Sequence, residues 1–289
     1  MSMPRPDVAA FFDPDTCSVA YLVSDLATGT AAVIDAVLDY DPKAGRVATR
    51  SADRVVAAVK EAGLTVEWAL ETHIHADHLA AGAYIKSRLG GRLGIGEHVT
   101  AVQRHFTQFY NIADQVPADG SQFDHKFTDG ETFRVGGIEA RVLHTPGHTP
   151  ACVTYLIGDA AFVGDTIFMP DYGTARCDFP GGSARRLYRS IGRLFALPPQ
   201  TRVFVGHDYA PNDRAYAWET TVVEERERNI HVGGGRSEDG FVQVREERDR
   251  ALEPPNLILA AIQVNLRGGR LPEPEANGTT YLKIPLNRL

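Results

Sequence analysis

Thr72-His-Ile-His-Ala-Asp-His78 places three imidazoles and one carboxylate directly after the apolar run Val66-Glu-Trp-Ala-Leu70. Imidazole and carboxylate are ligand types for zinc or iron. In an extended loop His73 and His75 project to the same side, because side chains alternate with period two. Asp77 and His78 then enter the first turn of a helix expected over Leu79–Leu89 and ended by Gly90-Gly91, where the dipole favours a carboxylate. One such loop can serve a single metal or two adjacent ones.

The loop supplies part of a coordination sphere, so the remaining ligands must come from elsewhere in the chain. Three residues fit. His148 lies in Thr145-Pro-Gly-His-Thr-Pro150, Asp165 in Val163-Gly-Asp-Thr166 and His207 in Val205-Gly-His-Asp-Tyr209. Each stands beside glycine just after an apolar strand, where backbone can approach closely. Among the other histidines, His144 is a weaker candidate four residues before His148, and His98, His105, His125 and His231 read as surface or packing residues.

Outward from the loop, the chain alternates strands and helices. Val19–Val23 and Ala31–Ile34 form a hairpin through Thr28-Gly29. A helix runs from Ser51, as N-cap, to Ala62 and stops at Gly63, with Val55, Val56 and Val59 on one face. The aromatic stretch 98–127 reads either as a lid or as ordinary packing of a long connection. Thr132–Val135 with Ile138–Leu143, and Cys152–Ile157 with Ala161–Val163, are two more hairpins. An amphipathic helix follows from Ser183 through Leu187, Ile191, Leu194 and Phe195, and Arg202–Val205 is a buried strand. The charge runs 224–228 and 245–250 read as solvated helix faces, and 251–289 as a C-terminal extension.

At 289 residues, 43% hydrophobic and 23% charged, the chain has the composition of a single globular domain over 1–289. Its 30 Lys+Arg against 37 Asp+Glu leave a net charge of −7, which disfavours nucleic acid as a partner. Three scattered cysteines outline neither a disulfide framework nor a zinc ribbon. No apolar run is long enough for a membrane span, and Met1–Phe12 lacks the core of a signal peptide, so a cytoplasmic location is expected.

His73-x-His-x-Asp-His78 followed by His148, Asp165 and His207 resembles the metallo-β-lactamase superfamily. That resemblance implies an αββα sandwich with metal at one edge of two facing sheets. Within it, Thr72–His78, Pro146–Pro150, Gly164-Asp165, Arg176-Cys-Asp-Phe179, Val205–Tyr209 and Val223–Arg226 are similar to persulfide dioxygenases. The 75-position step from His73 to His148 resembles the longer bacterial type.

The resemblance implies one Fe(II) held by His73, His148 and Asp165, with His75, His78 and His207 around it. Two histidines and one carboxylate leave positions open for substrate and O₂. It further implies oxidation of glutathione persulfide, or a related thiol persulfide, with O₂ to sulfite and thiol, in sulfide detoxification by a homodimer. Asp77, Arg176 and Tyr209 are the candidate catalytic residues: Asp77 as a hydrogen-bonding neighbour of the metal, Arg176 to hold a substrate carboxylate or persulfide, Tyr209 as a donor near the metal. Cys177 reads as a quiet buried thiol. The alternative is a dinuclear-zinc thioester hydrolase of the glyoxalase II type, in which Asp77, His78 and His207 hold the second ion and Asp165 bridges.

Overall fold

Ser18-Val-Ala-Tyr-Leu-Val-Ser-Asp25 is buried along its whole length, the mark of a strand covered on both faces. In the computed structural model, which describes residues 5–288, it is the second strand of a six-stranded sheet. The first half of the chain runs β1 (Asp7–Asp13), β2 (Ser18–Asp25), β3 (Thr30–Ile34), β4 (Val37–Asp41), β5 (Arg46–Ala48), α1 (Arg50–Glu61), β6 (Thr65–Leu70), β7 (Leu79–Ala80), α2 (Gly82–Leu89), β8 (Arg92–Gly96), α3 (Val99–Phe109) and β9 (His125–Phe127). The sheet order is β1-β2-β3-β6-β8-β9, with β5-β4-β7 a separate small ribbon. β3, β6, β8 and β9 are mutually parallel, joined through α1, α2 and α3.

The second half runs β10 (Thr132–Val135), β11 (Ile138–His144), β12 (Val153–Ile157), β13 (Ala160–Phe162), α4 (Ala184–Phe195), β14 (Arg202–Phe204), β15 (Glu219–Thr221), α5 (Val222–Arg228), α6 (Glu238–Asp249) and α7 (Ile258–Asn265). Strands β10 to β15 form the second sheet in sequence order. Successive side chains of a strand point to opposite faces, and three cores follow from that alternation. Val19, Tyr21, Ile34, Val142, Tyr155 and Phe162 meet between the sheets. Leu22, Val33 and Ala69 face α1 and its neighbours, and Ala161, Val203 and Val205 face Leu187 and Ile191 of α4. Helix, sheet, sheet and helix are the four layers of the expected αββα sandwich.

Several local expectations need correction. The first helix begins at Arg50 behind Thr49, and Ser51 Oγ bonds Asp39 Oδ1 at 3.0 Å instead of capping. The second begins at Gly82, because Leu79-Ala80 pairs with Val37-Leu38 as a short strand. Phe106, Tyr110 and Phe123 are packed into the helix-side core with Ile258 and Ile262. These aromatics of 98–127 therefore pack as core, and no residue of the stretch lines the cavity described below. The charge run 245–250 is not wholly solvated, since Arg245 is 2% exposed and paired with Asp249. The extension 251–289 contributes α7 to the same core. No helix among the described residues is long and apolar enough to cross a membrane.

Candidate metal centre

β11 and β13 are each antiparallel to β12, and β13 is parallel to β14, so β11, β13 and β14 end at the same edge. His148, Asp165 and His207 follow those three ends. The 71–78 loop arrives from β6 of the other sheet, tied across by Val153 N donating to Thr72 O at 3.0 Å and Tyr155 Oη to Glu71 O at 2.9 Å. Glycine makes the approach possible. A Cβ on Gly206 would stand 2.7 Å from Asp165 Oδ1 and 2.9 Å from the Gly164 carbonyl carbon.

The sequence-derived donors fall into two groups, and His75 also belongs to a third with Asp35 and Glu71. His73, His148 and Asp165 form one, with Asp165 Oδ2 at 4.0 Å from His73 Nε2 and 3.8 Å from His148 Nε2. His75, Asp77, His78 and His207 form the other, with His207 Nε2 at 3.3 Å from Asp77 Oδ2. Asp165 Oδ1 lies 3.6 Å from His207 Nε2, so this carboxylate faces both groups. His73 Nε2, Asp165 Oδ1 and Asp77 Oδ2 are buried without a hydrogen-bond partner. Unpaired polar atoms cost free energy in a core, and a divalent metal ion would satisfy them.

The surrounding bonds fix which nitrogen each imidazole offers. Thr72 Oγ1 has one proton, which it gives to Asp35 Oδ2 at 2.8 Å, so at 3.0 Å it accepts from His73 Nδ1 and leaves Nε2 as the lone pair. His148 Nδ1 donates to Arg176 O at 2.8 Å with the same result. His75 is held differently. Its Nε2 donates to Asp35 Oδ1 at 3.1 Å, with Glu71 Oε2 at 3.6 Å. Burial disfavours its charge, but the Asp35 and Glu71 carboxylates outweigh that and raise its pKa to about 9. Burial, then the Asp35 charge, pushes Glu71 up to about 8. At Asp77 burial is outweighed by the His207, His78 and His75 imidazoles, bringing it down to about 2, whereas burial and His75 push His78 down to about 3.

All six sequence-derived ligand candidates plus Asp77 thus converge. Tyr209 lines the cavity, with its ring parallel to that of His207 at 5.8 Å. Arg176 also lines it, but its guanidinium forks onto Asp178 through two bonds of 2.6 Å, and its visible service to the site is the carbonyl holding His148. His144 lies outside the group, bonded to Pro150 O and packed on His98. Burial raises the Cys177 thiol pKa well above its ordinary value, as expected for an inert thiol. Sequence reading overlooked Asp35 and Asn265, whose Nδ2 donates to the carbonyls of His75 and His78 at 2.8 Å each. Asp35 carries the signal used for Asp165, an acid directly after an apolar strand. A cavity of about 930 Å³ opens over the centre, within the range of small-molecule sites.

The model of the metallo-β-lactamase superfamily matches residues 14–207. The chain belongs to this superfamily. A probable metallo-hydrolase of Burkholderia pseudomallei is 53% identical over 98% of the chain and 99% of its own length. A β-lactamase hydrolase-like protein of Agrobacterium fabrum is 56% identical over 98% of the chain, which spans 65% of that relative. The human mitochondrial persulfide dioxygenase ETHE1 is 29% identical over 89% of the chain and 87% of its own length. Among solved structures, ETHE1 from Myxococcus xanthus aligns with a TM-score of 0.73 and 31% identity, covering 91% of the chain and 100% of that structure. As a superfamily member, the chain carries its donors at the sandwich edge, and their partition into two groups fits a mononuclear or a dinuclear centre.

Proposed function

We propose that the chain is an Fe(II)-dependent persulfide dioxygenase. It oxidises glutathione persulfide, or a related thiol persulfide, with O₂ and water to sulfite and the free thiol. The observation that carries this reading is the separate grouping of His73, His148 and Asp165, two histidines and one carboxylate, the donor set of non-heme Fe(II) oxygenases. The likeness to the Myxococcus and human ETHE1 proteins supports it. Bound iron would supply the one-electron chemistry with O₂ that redox-inert zinc cannot. The protein's own part is to hold the two imidazoles in one tautomeric state, through Thr72 and the Arg176 carbonyl, and to keep all three donors 1–6% exposed beneath the cavity.

The second donor group favours another reading, a dinuclear-zinc thioester hydrolase of the glyoxalase II type. His75, Asp77, His78 and His207 form a four-residue set, and Asp165 faces it. Metal content per chain on protein purified without oxygen, with O₂ uptake on glutathione persulfide measured on the same sample, separates the two. The dioxygenase reading expects about one iron and rapid uptake. Two zincs without uptake would transfer the assignment to the hydrolase.

A further inference from the structure

Beside the metal centre, two cavity-lining loops are joined by one guanidinium. Arg214 Nε and Nη2 donate to Asp171 at 2.5 and 2.9 Å, Nη1 and Nη2 to Asp208 at 2.7 and 2.6 Å, and Nη1 also to Ala215 O at 2.9 Å. A guanidinium has five N–H donors, and this pattern uses all of them. Asp208 is 1% exposed and also accepts from Ala217 N at 2.8 Å. It directly follows the metal-centre residue His207.

The residues next to the two clamped acids form the cavity wall. Tyr172, beside Asp171, and Tyr209, beside Asp208, stack at 4.5 Å with planes 28° apart. Phe168 closes edge-on to Tyr209 at 6.0 Å, and all three line the cavity with His207. The loop carrying Tyr209 runs against backbone preference at Ala210. Ala210 has φ of 43°, a region a residue with an ordinary side chain enters only under constraint, and Asn212 and Asp213 follow at 58° each, where their short polar side chains are better tolerated. The Arg214–Asp208 pair brackets this segment at both ends.

We infer that Arg214 is a positioning residue that, by tying Asp171 to Asp208, fixes Tyr172 and Tyr209 as one wall and so sets how tightly the thiol-carrying body of the substrate is held. The inference rests on the persulfide dioxygenase reading for its substrate, but the mechanical coupling of the two loops is independent of it. Rings stacked in this way offer a flat apolar face to a peptide-like carrier, while the sulfur chemistry proceeds at the metal donors. Loss of the clamp is therefore expected to act on binding and not on the chemical step.

The test uses iron-loaded full chain with Arg214→Lys and Arg214→Ala. Lysine keeps the charge but has three donors on a point charge and cannot fork onto two carboxylates. Amide hydrogen exchange is expected to rise together in 168–173 and 208–217 in both variants, with 71–78 unchanged. KM for glutathione persulfide should rise about ten-fold with kcat changed by less than about two-fold and iron content unchanged. Binding of glutathione itself, followed by calorimetry, should weaken by a similar factor, which gives a readout independent of turnover. Exchange rising in one loop only, or glutathione binding unchanged in Arg214→Lys, would overturn the inference. Absence of O₂ uptake by the unmodified enzyme would instead count against the dioxygenase reading, and the exchange data would still decide whether the loops are coupled. Should Arg214→Ala fail to fold, Arg214→Lys and Asp171→Asn carry the same comparison.

Discussion

Asn265 holds His78 by its backbone: the Asn265 Nδ2 amide donates to the His78 carbonyl at 2.8 Å across 187 residues of sequence. The same nitrogen donates to His75 O at 2.8 Å, and Asn265 Oδ1 accepts from Ala80 N at 2.7 Å. One buried amide from α7 thereby satisfies two carbonyls of the metal loop and the Ala80 N–H of the adjoining strand β7. Asn265→Ala would leave them unpaired in a dry core. A loss of about 2–4 kcal/mol in urea unfolding is expected, together with faster release of metal to a chelator. A stability change below about 0.5 kcal/mol would mean that water replaces the amide at no cost.

Asp165 and His207 should behave differently on substitution. Asp165 Oδ2 stands within 4.0 Å of both His73 Nε2 and His148 Nε2, so Asp165→Ala removes the only carboxylate of that group. It is expected to abolish bound iron and activity together. His207→Ala should leave iron largely in place. Metal analysis of the two variants checks this, and an empty site in His207→Ala would sink the mononuclear assignment.

Gly147 precedes His148 with φ of 148°, and a Cβ there would lie 2.4 Å from Leu187 Cα, Cβ and N on α4. A backbone neighbour cannot yield as a side-chain tip can. Gly147→Ala is expected to cost more than about 3 kcal/mol and to lower metal occupancy by moving His148. Thermal unfolding and metal content would report both effects. Gly192→Ala, at an α4 position with nothing within 4 Å of the added Cβ, is the control and is expected to raise stability by up to about 1 kcal/mol without changing metal content.

His231 gives the protein an acid sensitivity away from the metal. Its Nδ1 accepts from Thr174 N at 3.0 Å, a bond that needs the neutral ring. Burial, and then the Arg245, Arg248 and Arg236 charges, push its pKa down to about 4 from the ordinary 6.5. Between those two pH values the unfolded chain takes up a proton that the folded one refuses, so stability falls as pH drops from 6.5 towards 4. About 2 kcal/mol should be lost through this window after allowing for solvent screening. His231→Asn, which can present an amide oxygen to Thr174 N, should flatten the slope of unfolding free energy against pH. An unchanged slope would assign the acid loss to other groups.

Residue type and local spacing carried much of this fold into the sequence. Val55, Val56 and Val59 share a helix face because of the helical period, and all three are buried against the first sheet. His148, Asp165 and His207 were legible because each follows an apolar strand beside glycine, and strands of one sheet share an edge. Errors gathered where a neighbour overrode local preference. Leu79-Ala80 fits a helix start by composition, yet Val37-Leu38 offers it a strand partner. Ser51 is a good capping residue, yet Asp39 captures its hydroxyl. The aromatics of 98–127 could cover a site or fill a core, and only the position of α7 decides that they fill one.

The sequence by itself therefore determined the chemistry on offer: the histidine and carboxylate donors, their order, and the strand ends that present them. Tertiary structure alone decided how those donors divide, which ring nitrogen each histidine offers, and that His75 turns to Asp35 instead of joining His73. It also decided that Asn265 and Arg214 hold the loops from outside. The physical reason is range. Helical and strand periodicities extend over a few residues, whereas a hydrogen bond between residues 187 apart leaves no periodic trace in either segment.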